Sequence, residues 1–167
     1  MLRAVAGLTI ALFAGLSLLG GAGAAVLETS TTAFVKPVTD AVITQPFGCT
    51  SFALEPVDPS CPGEHFHSGI DLAVAAGTPV HATLAGVAQV IDDTTGYGLH
   101  IIIDHEQGLS SLYGHLESVS VTSGEHVLAG QVIGHVGSTG DSTGPHLHFE
   151  IRVNGTAEDP QQFLELP

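Results

Sequence analysis

Three short stretches concentrate side chains that can bind a metal or move a proton. His67-Ser68-Gly69-Ile70-Asp71 sets an imidazole and a carboxylate four positions apart. Ser142-Thr143-Gly144-Pro145-His146-Leu147-His148-Phe149-Glu150 carries two imidazoles two positions apart. In a strand such side chains share a face, so His146 and His148 project together while Leu147 and Phe149 turn into a core. Tyr113-Gly114-His115-Leu116 adds a further imidazole. Catalytic zinc centres use three His or carboxylate ligands and keep a fourth position for water. A lone His-x-His is weak evidence for one; the His-x-x-x-Asp spacing and His115 strengthen it. Histidine is also the usual acid or base near neutral pH, and this chain has 10 in 167 residues.

Not every histidine belongs to such a set. His65 lies two before His67 and is a candidate for the edge of the site. His81, in a predicted strand, and Tyr113, read as sharing a strand face with His115, are candidates for groove walls. His100, His105, His126 and His135 read as surface or turn residues. Glu150, two beyond His148, is a candidate for orienting a ligand from behind, the plainer reading being an ordinary strand carboxylate.

Composition narrows the field. Lys and Arg number 3 against 17 Asp and Glu, a formal charge of −14. Nucleic acid is excluded as a partner, because no cationic surface exists to displace counterions from phosphates. Aromatic residues are 5% of the chain and Trp is absent, so stacking platforms for bases are not expected.

The elements that position these residues start after an atypical N-terminus. Met1-Leu2-Arg3 is followed by no charged residue from Ala4 to Leu27, and Ala22-Gly23-Ala24 fits a small-residue cleavage signature. Residues 1–24 read as a secretory signal peptide; left uncleaved, the segment from Ala4 to Leu27 is long enough for a membrane anchor. Residues 25–37 read as a leader, and residues 38–167 as one domain. Export makes a disulfide the default for Cys49 and Cys61, worth about 3 kcal/mol in the entropic model, with a metal role the minor alternative. Short runs rich in Val, Ile, Leu and Thr then alternate with Gly, Pro, Asp and Asn. They are Val38–Thr44, Pro79–Thr83, Gly86–Asp92, His100–His105, Ser110–His115, Gln131–Val136 and Pro145–Val153. That pattern predicts an all-β, compact antiparallel sandwich or barrel-like hybrid with an open groove. A short helix is expected at Pro160–Leu164, with Asp159 as its N-cap.

The same segments resemble the lysostaphin-type (LytM-like) zinc metalloendopeptidases, which cut peptide bonds in bacterial peptidoglycan. The likeness runs from about Val38 to Leu164. Beyond the three stretches above it takes in Thr44-Gln45-Pro46-Phe47-Gly48, Gly96-Tyr97-Gly98, Gly130-Gln131-Val132-Ile133-Gly134 and Arg152-Val153-Asn154-Gly155. The resemblance implies that His67, Asp71 and His148 hold Zn²⁺ and that His115 and His146 are the catalytic histidines. It implies an exported enzyme, in the periplasm or cell wall, acting on peptidoglycan peptides and expected to be a monomer. The alternative is a non-catalytic relative that activates another wall hydrolase; a third reading is a zinc peptidase for secreted proteins. Two departures stand out. Leu99 follows Gly96-Tyr97-Gly98 where the family typically has Asn, and the stretch between Gly48 and His67, with both cysteines, is longer than in the simplest members.

Overall fold

The computed structural model describes residues 33–166. The expected signal peptide, 1–24, and most of the expected leader lie outside them.

Among the described residues, thirteen short strands, paired antiparallel throughout, form three sheets. The largest runs in the order β1 (Val42–Gln45), β4 (Ile70–Ala73), β12 (His146–Val153), β8 (Leu109–Gly114), β7 (Leu99–Asp104), β6 (Gly86–Asp92) and β10 (His126–Val127). A further strand, β13 (Thr156–Glu158), pairs with β12. A three-stranded sheet joins β5 (Pro79–His81), β11 (Val132–Val136) and β9 (Leu116–Val119). A two-stranded ribbon joins β2 (Gly48–Thr50) to β3 (His65–His67). The antiparallel all-β expectation therefore holds. The C-terminal helix is shorter than expected, a 3₁₀ turn at Pro160–Gln162 whose Gln161 N–H is capped by Asp159 Oδ1 at 3.0 Å.

The core lies between the large sheet and the three-stranded one. Ile70 and Leu72 of β4, Ile101 and Ile103 of β7, and Leu147, Phe149 and Ile151 of β12 meet Val80, Ile133, Val136 and Leu116, all fully buried. Burying each such side chain favours folding by roughly 1.5–3 kcal/mol before chain entropy is subtracted. β12 is central: its odd-numbered residues fill this core, so its even-numbered residues all face the other way.

Two elements frame that other face. The Cys49–Cys61 disulfide forms as expected and closes the loop between β2 and β3. The turn from Gly137 to Gly144 is tied to the start of β12 by a bridge between Gly137 and His146.

Candidate active site

Asp71, His148 and Gly114 lie side by side on β4, β12 and β8. His67 ends β3 and reaches the same point from the ribbon. His67 Nε2 is 3.0 Å from His148 Nδ1 and 3.2 Å from Asp71 Oδ1, and His148 Nδ1 is 3.1 Å from the same oxygen. All three residues are buried.

The outer nitrogens decide what the inner ones can do. His67 Nδ1–H donates to the Pro46 carbonyl at 2.9 Å, and His148 Nε2–H donates to Glu150 Oε1 at 3.0 Å. In neutral rings with these tautomers, lone pairs on His67 Nε2 and His148 Nδ1 converge on a carboxylate oxygen. That arrangement is repulsive unless a cation stands among them. Ligands at about 2.0–2.2 Å around a tetrahedral zinc are themselves about 3.3 Å apart, so the donor set fits the metal in type, number and spacing. Without metal, a proton is the substitute. Burial disfavours a charged His148, yet Asp71 and Glu150 on either side push it up to about 9. Asp71 is held well below the carboxylate range: burial opposes ionisation, and His148 and His67 outweigh it.

Beside the triad a cleft of about 380 Å³ opens, lined by Asp71, His115 and His146 among others. The rings of His115 and His146 have centroids 4.6 Å apart. His115 Nδ1–H donates to Thr139 O at 2.7 Å and His146 Nδ1–H to Gly144 O at 2.8 Å. Each ring thus keeps Nε2 for chemistry, and that of His146 stands 3.6 Å from Asp71 Oδ1. Burial drives His115 down to about 4, against the pull of the Thr139 carbonyl. At neutral pH it is an uncharged proton acceptor. Its backbone is left-handed (φ 60°), with its N–H donating to Tyr97 O at 2.8 Å.

The structure brings His67, Asp71, His148, His115 and His146 together and separates the other candidates from them. Tyr113 does not line the groove. It is fully buried in the core, where its hydroxyl accepts from Thr83 N–H at 2.8 Å and lies 2.9 Å from Ser111 Oγ. The left-handed turn at His115 breaks the two-residue alternation, so Tyr113 and His115 face opposite ways. His81 belongs to β5 in the other sheet, paired with Val132, and lines neither part of the cleft. His65 Nδ1 instead binds the carbonyl of Glu55, which anchors the disulfide loop. His100 is buried rather than at the surface, its Nδ1–H on the Gly98 carbonyl at 2.9 Å.

Sequence reading missed Glu55. It comes off the disulfide loop, borders the cleft on both sides of His115, and puts Oε1 4.0 Å from His67 Nε2. Ser68, Tyr97 and Arg152 were missed as well, all three grouped around Glu150.

A family model described as Peptidase family M23 matches residues 65–160. The chain belongs to peptidase family M23. M23 is a zinc-dependent family, in keeping with the donor set. The DD-carboxypeptidase/endopeptidase Mpg of Neisseria meningitidis serogroup B is 41% identical over 126 residues, covering 75% of this chain and 28% of that protein. The murein hydrolase activator EnvC of Escherichia coli is 41% identical over 102 residues, covering 61% of this chain and 24% of that protein. This M23 chain therefore spans about a quarter of the length of these curated relatives. Among solved structures, the catalytic domain of the antimicrobial peptidase lysostaphin from Staphylococcus simulans superposes with a TM-score of 0.61 at 34% identity. That match covers 74% of this chain and 91% of the other.

Proposed function

We propose that this M23 protein is an exported zinc endopeptidase that hydrolyses peptide bonds in peptidoglycan stem peptides or cross-bridges. One observation carries the reading: three buried donor atoms converge on a single point beside a cleft that also holds two histidines with Nε2 free. His67 Nε2, Asp71 Oδ1 and His148 Nδ1 would hold the metal. Zinc bound by such a set acidifies water to a pKa near 7 and polarises a carbonyl.

The chain's own groups do the rest. His115, kept neutral by burial, accepts the attacking water's proton on Nε2. His146, its ring centroid 4.6 Å from that of His115, donates toward the developing oxyanion through Nε2–H as the imidazolium, with Nδ1–H staying on the Gly144 carbonyl. The proton then passes from His115 to the departing amine, which leaves both imidazoles as they began. The Thr139 and Gly144 carbonyls hold the two Nδ1–H groups throughout.

The test is to incubate the zinc-loaded protein with sacculi of known cross-link chemistry and to identify the fragments by mass spectrometry. New amine termini within stem or bridge peptides are expected, and none from the His115→Ala protein. A folded, zinc-bound protein that releases no fragment overturns the enzyme. The likeness to EnvC supports one other reading, an activator of a separate wall hydrolase. It would be recognised by stimulation of an amidase in the same assay without any peptide cleavage.

A further inference from the structure

Behind the metal triad lies a polar cluster that neither the metal nor the cleft histidines account for. Glu150 is completely buried. Its Oε1 accepts from Ser68 Oγ–H at 2.6 Å, Tyr97 O–H at 2.7 Å and His148 Nε2–H at 3.0 Å. Its Oε2 accepts from Arg152 Nε–H at 2.6 Å. Arg152 reaches on to Tyr97 Oη at 3.3 Å. Four donors from three segments therefore converge on one carboxylate. Burying a carboxylate costs several kcal/mol unless it is well paired, and apolar packing would fill the same space. Its placement needs a reason beyond stability.

We infer that Glu150, aimed by Arg152, Tyr97 and Ser68, is a positioning residue that makes His148 present Nδ1, not Nε2, to the metal. A histidine ring offers two nitrogens, and the partner of one selects the other. Glu150 engages Nε2, so Nδ1 is left among His67 and Asp71. The ring has no space to turn over. A Cβ at Gly69 would lie 3.0 Å from His148 Nε2 and 2.9 Å from Glu150 Cγ, so backbone closes one side. The Tyr97 ring closes another, 5.2 Å away between centroids. Tyr97 further ties the two halves of the site together. Its hydroxyl serves Glu150 while its carbonyl holds the His115 N–H.

The inference rests on the metal-binding part of the proposed function and is independent of hydrolysis. Glu150→Gln is the diagnostic variant because its shape is preserved. One amide cannot accept from both His148 and Arg152, so the cluster must break while packing survives. Zinc dissociation constants by chelator competition and ¹⁵N NMR of the imidazoles provide the readouts, with Tyr97→Phe as a milder variant if Glu150→Gln folds poorly. Expected for Glu150→Gln is zinc affinity weaker by about 10–100-fold, with His148 no longer a single Nδ1-bound tautomer. Expected for Tyr97→Phe is a change in the same direction of a few-fold, because the carboxylate keeps its other three donors. Folded variants that keep wild-type zinc affinity and a single Nδ1-bound His148 overturn the inference and leave the proposed enzyme standing. A wild-type protein that takes up no zinc overturns both.

Discussion

His148 stands between two carboxylates, and in the metal-free protein that position gives it a proton which zinc must displace. Zinc affinity is therefore expected to fall as pH falls below about 9, by about tenfold per unit from this one group. Chelator competition across that range checks it, and a flat profile would refute it. Stability of the metal-free protein should move the opposite way. The folded-state value lies above the unfolded 6.5, so this contribution is whole below pH 6.5 and disappears as pH rises through about 9. Denaturation midpoints measured on both sides of that window, with and without zinc, test the sign. His115 carries a different burden. With it replaced by Ala, zinc should remain bound while turnover drops by about 10²–10⁴-fold, the usual worth of a positioned acid–base group. Loss of the metal together with turnover would show that His115 is a ligand instead. The five residues that the fold gathers were singled out in sequence by type and spacing, His146 and His148 by strand alternation, while their division into ligands and catalytic groups was only what the family resemblance implied. Tyr97 was not: a tyrosine between two glycines has no periodicity to read, and its importance comes from where a turn delivers it.

At the scale of the element, alternation succeeds along β12 and fails at the end of β8. Leu147, Phe149 and Ile151 fall in the core as expected, and Tyr113, opposite Phe149 and Ile101, joins them; the left-handed residue after Gly114 ends the pattern and turns His115, not Tyr113, to the cleft. Tyr113→Phe should accordingly destabilise the fold by about 1–3 kcal/mol, because the buried Thr83 N–H loses its acceptor, while KM stays unchanged. A raised KM at constant stability would return Tyr113 to the groove. The pairings of β2 with β3 and of β5 with β11 were invisible in sequence for another reason. Strands of three residues span little more than one period of two, too short to stand out as a pattern, and distant partners set their register. Gly69 is an element-scale constraint of a different kind. Its added methyl would collide with the Phe149 carbonyl oxygen, so Gly69→Ala must part β4 from β12 where both supply ligands. Weaker zinc binding and a lower melting temperature are expected together. Unchanged zinc binding by differential titration would show that the sheet absorbs the methyl elsewhere.

For the molecule as a whole, charge is the feature that sequence states most plainly. The chain carries −14, and of its cations the described residues include Lys36 and Arg152, the latter committed to Glu150. Against an anionic wall such a protein is repelled at long range. Screening shortens that reach from about 30 Å at 0.01 M salt to about 8 Å at 0.15 M. Sacculus hydrolysis should rise between those salt concentrations, with hydrolysis of a short neutral peptide unaffected; a fall in sacculus hydrolysis would point to an attractive patch. A different consequence follows from β12. His146, His148, Glu150 and Arg152 occupy alternate positions along it, while the residues between them form the centre of the core. No slipped or half-paired β12 can keep some of these groups in place and surrender the others. Catalysis should therefore report cooperativity: through a denaturant titration, surviving activity should track the native fraction molecule by molecule, without any weakened but working species in between.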